Sequence, residues 1–226
     1  MLFLAEAVQA VPEYTHFIPL MIAFLTGVLG PIMLVFLKHK LTKKDRMFER
    51  RKKEFAKALE TQDLINTSLN GLQQKYNLDR LWIAQFHNGG NFYPGNKSMK
   101  KMSMTFESTA PGVAADIMKM QNLPVSFLSP ILQKLYQESD TTGVTIDVFT
   151  EEDYALRSFW ETRGIQTVYL FPIKCLESDF IGIFGVDFVK RDGFVTDEVY
   201  DQLRAEALLL SGYVASLSVE STVRRA

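Results

Sequence analysis

Cysteine and histidine are scarce in this sequence of 226 residues. The single cysteine, Cys175, excludes a disulfide within the chain and a zinc site built from several thiolates, and it suits a reducing compartment. His16 and His39 flank an apolar run, which leaves His87 without a second histidine nearby to share a metal ion. We therefore expect no metal site, and the sequence identifies no cofactor.

Charge is absent from residues 17–37, which read FIPLMIAFLTGVLGPIMLVFL. As a helix that rises about 1.5 Å per residue, this run reaches roughly 30 Å, the thickness of the hydrocarbon core of a bilayer. It predicts an uncleaved transmembrane helix, because the preceding residues lack the basic start of a signal peptide. Ala23 and Gly27 have the spacing of a close helix-helix contact, although small residues are common in membrane helices, and Gly30-Pro31 predicts a kink.

Lysine and arginine are absent from the first 37 residues, whereas residues 38–53 hold nine of them and two acidic residues, a net charge of +7. Because basic flanks stay inside, we expect a single-pass protein of the cell membrane with its N-terminus outside and the rest cytoplasmic. The basic block would face the lipid headgroups of the bilayer. Residues 54–226 have a net charge of -6, which argues against nucleic acid as a partner.

These features predict five consecutive regions. They are a short extracytoplasmic N-terminus (1–16), a transmembrane helix (17–37), a basic juxtamembrane helix or linker (38–60), a folded domain (61–220) and a tail (221–226).

A seven-residue repeat runs from residue 41 to residue 76. Leu41, Phe48, Phe55, Gln62, Leu69 and Tyr76 share one heptad position, and Ala58, Ile65 and Leu72 occupy the position three residues later. This is the a/d pattern of a coiled coil, and it favours a parallel homodimer through this helix. The alternative is a single amphipathic helix that packs Ile65, Leu69, Leu72 and Tyr76 against the following domain.

The remaining sequence alternates between strand and helix patterns. The predicted strands are residues 80–87, 101–107, 145–149, 165–174 and 180–190. The predicted helices are residues 113–120, residues 127–138, one capped by Thr150 and ended by Gly164, and one capped by Thr196 that ends near Ser218. The last two strands are apolar on both faces, which indicates a sheet covered by helices on both sides.

The closing segment, FPIKCLESDFIGIFGVDFVKRDGFVTDEVYDQLRAEALLLSGYVA, resembles the closing pattern of the GAF domain family. The pattern is a strand with proline, a turn, a strand with Ile-Gly, and an Ala- and Leu-rich helix that begins at Phe-Thr/Ser-acidic. The resemblance implies an α/β fold of the α+β kind, with an antiparallel sheet of five or six strands between helical layers. It also implies a small-molecule pocket opposite the terminal helices, and a PAS-like architecture is the alternative fold.

This sequence lacks the residues that several functions of that family require. Cyclic-nucleotide binding would need an Asn-Lys-Phe-Asp-Glu signature, of which only Phe194, Asp197 and Glu198 resemble members. Bilin attachment uses a pocket cysteine, whereas Cys175 lies at the end of a predicted strand. Sulfoxide reduction uses more than one cysteine.

The candidate ligand-binding residues begin at the end of the first predicted strand. His87 could hydrogen-bond a ligand, and Asn88, Gly89 and Gly90 could present backbone N–H groups to an anion. The alternative for this run is a tight turn that needs Asn and Gly for positive φ. Glu107 could face the same cavity, while Phe149 and Trp160 could form aromatic walls, although such residues are often core.

The sequence therefore predicts a membrane-anchored, non-catalytic GAF-like sensor or ligand-binding module that is dimeric through its juxtamembrane helix. The alternative is a scaffold that docks a cytoplasmic protein at the membrane. An enzyme would need His87 within hydrogen-bond reach of Glu107 or Asp187 in an open cleft.

Overall fold

The computed structural model of the protein describes residues 17–88, 100–137, 142–175, 180–189 and 193–222. The chain forms two units, Met1–Phe55 and Ala56–Ala226. The helices are α1 (Phe17–Phe24), α2 (Gly30–Tyr76), α3 (Ser129–Gln137), α4 (Tyr154–Glu161) and α5 (Asp197–Thr222). The strands are β1 (Arg80–His87), β2 (Lys101–Thr109), β3 (Leu123–Pro124), β4 (Val144–Asp147), β5 (Thr167–Lys174) and β6 (Phe180–Phe188).

The described part of the first unit is helical throughout. Its helix is long and apolar enough to cross a membrane, since the most apolar 18 residues have a mean hydropathy of 2.0 and none of them is buried. Length and composition support this as a candidate membrane span.

A π-helical turn, Leu25–Leu29, lies directly before the predicted kink at Gly30-Pro31. Pro31 has no N–H for the usual bond to residue 27, and its ring would crowd that carbonyl in a regular α-helix. In the π-helical turn the Gly30 N–H instead donates to the carbonyl of Leu25, five residues back.

The heptad repeat has different roles in the two units. In the second unit, Ile65 and Leu69 are fully buried, and Leu72 and Tyr76 pack beside them, so this part of α2 is an amphipathic helix of its own domain. In the first unit, Leu41, Phe48 and Phe55 are 59 to 67% exposed. Only these three residues of the shared heptad position are apolar and open to a partner.

The sheet has six antiparallel strands in the order β3-β2-β1-β6-β5-β4. The strand predictions are confirmed with small changes at their ends, and β1 has the predicted bounds. A bulge in β2 leaves Thr105 out of the pairing, because Ile83 pairs with Phe106 whereas Ala84 pairs with Met104.

Two hydrophobic cores lie on the two faces of the sheet. The terminal-helix core joins Ile65 and Leu69 of α2 and Leu203 and Leu210 of α5 to the strands. The α4-side core is built around Trp82, Phe86, Met104, Leu135 and Trp160 and packs against α3 and α4. The predicted arrangement, in which the first and last helices cover one face and the intervening helices cover the other, is confirmed.

Two local predictions are wrong. Residues 113–116 have no regular structure and residues 117–119 form a turn, where the sequence predicts a helix over residues 113–120. Helix α4 is capped by Asp153, whose carboxylate accepts the N–H groups of Ala155 and Leu156, and Thr150 lies in the preceding turn. Gly164 follows the helix with a φ of +71°, as predicted for a residue that ends it.

Candidate ligand-binding site

The α4-side core lies on the face of the sheet where the sequence predicts a pocket. Alternation along β1 directs Trp82, Ala84 and Phe86 into this core. The Trp82 ring covers Gly185 so closely that a Cβ at Gly185 would lie 2.2 Å from it. Glycine at this position therefore makes room for the indole at the centre of the sheet.

Trp160 places an indole N–H in the same core. The side chain is 1% exposed, and no acceptor among the described residues bonds its Nε1 atom. A buried donor without an acceptor costs about 1–3 kcal/mol. A molecule that brings an acceptor atom to Trp160 would recover this energy, so Trp160 is the predicted site residue with the clearest chemical reason to contact a ligand.

His87 is buried at the end of β1 rather than open to a cleft. Its Nε2 atom lies 2.8 Å from Ser103 Oγ, which also accepts the N–H of Asn122 at 2.8 Å. Burial lowers the pKa of His87, and the nearby Lys101 acts in the same direction. The neutral imidazole can then accept the Ser103 proton at Nε2, which fixes the ring against β2.

The neighbouring loop is only partly described. Asn88 is exposed, and its Oδ1 atom accepts the N–H of Lys100, 3.0 Å away. Gly89 and Gly90, which the sequence predicts as anion-binding residues, lie outside the described residues.

Glu107 belongs to a buried ionic network at the opposite end of β1 and β2. Its carboxylate accepts the N–H groups of Asp116 at 2.7 Å and Ile117 at 3.0 Å, and it lies 3.3 Å from Arg80 Nε. These bonds join the backbone of residues 116 and 117 to β2. The Ile117 N–H would bond the Val113 carbonyl in the predicted helix, and here Glu107 accepts it instead, which removes the first bond of that helix.

Arg80 is the centre of that network. Its guanidinium lies 3.2 Å from Asp187 and 3.6 Å from Asp116, and it donates to the carbonyl of Ala114 at 2.7 Å. Because a buried guanidinium needs compensating charge, carboxylates from three separate segments converge on it.

Asp187 faces the α4-side core between Arg80 and Trp82. Its carboxylate accepts the Trp82 indole N–H at 2.8 Å as well as the Arg80 bond. Burial raises the pKa of Asp187 to about 6, although Arg80 and Trp82 both favour the charged form.

Arg163 connects the end of α4 to the same network. Its Nε atom lies 2.9 Å from Asp116 Oδ2 without the alignment of a hydrogen bond, so this is an ionic contact. Its guanidinium also lies over the Phe159 ring, 3.6 Å from the centroid, and donates to the Phe159 carbonyl.

The predicted site residues do not form one group. Glu107 lies opposite Trp82 on the neighbouring strand, and Trp82 is five residues from His87 along β1. At about 3.3 Å per residue, Glu107 is therefore roughly 16 Å from His87 along the strand. Asp187 pairs with Arg80, still further from His87. The geometry that a His87-carboxylate enzyme requires is therefore absent. Phe149 is 63% exposed and lies outside the α4-side core.

Sequence reasoning missed Arg80, Asp116 and Arg163. Arg80 gave a usable signal, because it is a charged residue on a face of the predicted strand that is otherwise apolar. Asp116 gave none, since a single acid in a predicted surface helix is ordinary. Among the described residues, no group of three His, Cys, Asp or Glu side chains is arranged to hold a metal ion.

No family model matches the sequence, and no curated protein matches it. Solved structures do match. The phycoerythrobilin-bound GAF domain of a cyanobacterial phytochrome is 16% identical with a TM-score of 0.57, over 76% of this chain and 94% of that chain. A domain of a protein described as a two-component sensor histidine kinase from Sinorhizobium meliloti 1021 is 16% identical with a TM-score of 0.51, over 72% and 97% of the two chains.

A third match is the GAF domain region of a protein described as a membrane protein from Geobacter sulfurreducens PCA. It is 16% identical with a TM-score of 0.54, and the match covers 71% of this chain and 96% of that chain. The second unit therefore has a GAF-like fold. The predicted fold class, an antiparallel sheet flanked by helices and preceded by a long apolar helix, is confirmed.

Proposed function

We propose that this chain is a single-pass membrane protein whose cytoplasmic GAF-like domain binds a small molecule in the α4-side core and has no catalytic activity. The unpaired N–H of buried Trp160 carries the proposal, because it is a donor that a ligand can satisfy. The similar GAF domain of a cyanobacterial phytochrome was solved with phycoerythrobilin bound, which supports a small molecule in a fold of this kind.

The ligand class follows from the surroundings of Trp160. Apolar side chains of the α4-side core, including Met102, Met104 and Met120, favour an apolar molecule. The adjacent ionic network holds three carboxylates and two guanidiniums, so it offers no excess of positive charge to an anion. The ligand is therefore a neutral, mostly apolar molecule with at least one acceptor oxygen or nitrogen.

The anchor and the dimer are parts of the same proposal. The apolar helix and the net charge of +7 that follows it support a membrane anchor with the domain in the cytoplasm. The exposed Leu41, Phe48 and Phe55 support a homodimer through the juxtamembrane part of α2. The other predicted site residues remain proposed ligand residues, ranked below Trp160. They are His87, Asn88, Gly89, Gly90, Glu107 and Phe149.

Indole NMR tests ligand binding directly, because the chain has only two tryptophans. The full chain, labelled with [15N]tryptophan in lipid nanodiscs, gives two indole signals that the Trp160→Phe variant assigns. The probes are benzophenone and diphenylmethane, which have similar shapes. Benzophenone has a carbonyl oxygen that can accept a hydrogen bond, and diphenylmethane has none.

We expect benzophenone to move the Trp160 indole proton saturably to higher frequency. The Trp82 signal should move little, because Trp82 already donates to Asp187. One hydrogen bond predicts binding about 3- to 10-fold tighter than diphenylmethane, and Trp160→Phe should abolish this advantage. If neither probe moves the Trp160 signal, the ligand-binding proposal is wrong.

A protein-docking scaffold is the second candidate function. The close packing of Trp82 on Gly185 favours it, because a filled core needs no ligand. The partner surface would include side chains exposed around α3 and α4, such as Met118, Tyr136, Phe149 and Tyr154. An unchanged Trp160 signal in the probe experiment would favour this function.

A further inference from the structure

Residues 112–122, here called the strap, cross the α4-side core without regular secondary structure. Gly112 and Asn122 bracket the strap, and both have positive φ, +81° and +58°. Three strap side chains are buried, namely Val113, Asp116 and Met120. Two of these are apolar, so hydrophobic burial gives the strap only part of its attachment.

Ionic and charge-assisted bonds hold the middle of the strap. The Glu107 carboxylate accepts two successive N–H groups, Arg80 donates to the Ala114 carbonyl, and Asp116 contacts both Arg80 and Arg163. Each partner of the strap comes from a different element, namely β1, β2 and the end of α4. Bonds of this kind are stronger than neutral ones and depend on charge and alignment.

The two ends of the strap are attached differently. Ala110, just before it, donates its N–H to the Asp79 carbonyl, and near the other end the Met120 carbonyl accepts the Met104 N–H. Gln121 donates from its side chain to the Met104 carbonyl. These bonds fasten one end beside the start of β1 and the other end to β2, so the middle can leave while the ends stay.

We propose that the strap is a discrete opening unit, latched over the α4-side core by Arg80, Glu107, Asp116 and Arg163, and that its release opens that core without unfolding the sheet. Its use as an entry route for a ligand rests on the proposed function. The opening itself does not, because it follows from the attachment of the strap.

Hydrogen exchange of the full chain in nanodiscs tests the opening without any ligand. Glu107→Gln removes the charge that holds the N–H groups of Asp116 and Ile117, and Arg163→Gln removes the cation on Asp116. We expect strap amides to exchange about 10- to 100-fold faster in either variant, with amides of β5 and β6 changed less than about 3-fold.

Lys119→Gln is the matched control. Lys119 also contacts the Asp116 carboxylate, at 3.3 Å, but its side chain is 69% exposed, so its removal should change strap exchange less than about 3-fold. Equal acceleration of strap and sheet amides would overturn the proposal, because the network would then support the whole fold. Unchanged strap exchange in both Glu107→Gln and Arg163→Gln would also overturn it. If neither probe moves the Trp160 signal but strap amides exchange faster in the two variants, the ligand-binding proposal is wrong and the strap proposal stands.

Discussion

Asp187 shows how a single buried residue makes stability depend on pH. Its side chain is 1% exposed, and it accepts bonds from Arg80 and Trp82. Burial still dominates, which is why the pKa of Asp187 rises to about 6. The folded state therefore binds a proton more tightly at this residue than the unfolded chain does.

The Asp187→Asn variant is expected to remove this pH dependence. In the natural protein, a pKa raised from 3.8 to about 6 stabilises the fold below pH 4, and this contribution is lost as the pH rises through 6. The difference in the free energy of unfolding between the two proteins should change by about 2 kcal/mol from pH 4 to pH 7. Urea unfolding of the full chain in nanodiscs, followed by tryptophan fluorescence, measures it. A constant difference across this range would contradict the assignment.

Single residues were the hardest part of the site to predict. Trp160 was predicted as a site residue from its position among aromatics, but its unpaired N–H depends on every neighbour in the fold. Arg80 and Asp116 are 36 residues apart, and no local pattern connects them. Their contact results from the pairing of β1 with β2 and the path of the strap.

Element predictions succeeded where the pattern was strong. The strands β5 and β6 are apolar on both faces, and their predicted ends lie within two residues of the observed ends, while β1 has the predicted bounds. The helix predicted at residues 113–120 is wrong. Val113, Ile117 and Met120 have helical spacing, but Glu107 accepts the Ile117 N–H, which the first bond of that helix would need. A contact distant in sequence replaced the local preference.

Helix α2 was ambiguous from sequence because one heptad pattern fits two partners. Ile65 and Leu69 are used by the terminal-helix core, whereas Phe48 is exposed. The two alternatives differ in which residues are buried against the sheet. The periodicity of the sequence does not show which part of the helix packs there.

The Phe48→Ala variant is expected to weaken the proposed dimer by about 10- to 100-fold and leave the unfolding of the GAF-like domain unchanged. Phe48 is an apolar residue of the heptad position, and its burial between two helices would contribute about 1.5–3 kcal/mol. Sedimentation equilibrium in detergent measures the dimer. Met47→Ala is the control, because Met47 is a similarly exposed apolar residue one position outside the seam. Equal loss in both variants would argue against a heptad contact.

The charge pattern of the whole molecule predicts its orientation. Replacing the nine Lys and Arg of residues 38–53 with Gln should let part of the population insert with the domain outside, because the positive flank would be lost. Protease added to intact cells should then digest the domain, which it should spare in the natural protein. Replacing Asp45 and Glu49 with Asn and Gln is the control and should keep the domain protected. Digestion of the natural protein would reverse the proposed orientation.

The π-helical turn changes how the apolar helix can meet another helix. A π-helical turn holds one residue more than an α-helical turn, so the helical backbone before Leu25 is rotated by about 100° from its position in an unbroken α-helix. Ala23 lies before this offset and Gly27 lies within it. Ala23 and Gly27 therefore do not lie on one continuous face of the helix. Any helix that packs along residues 17–37 has to contact two faces rather than one.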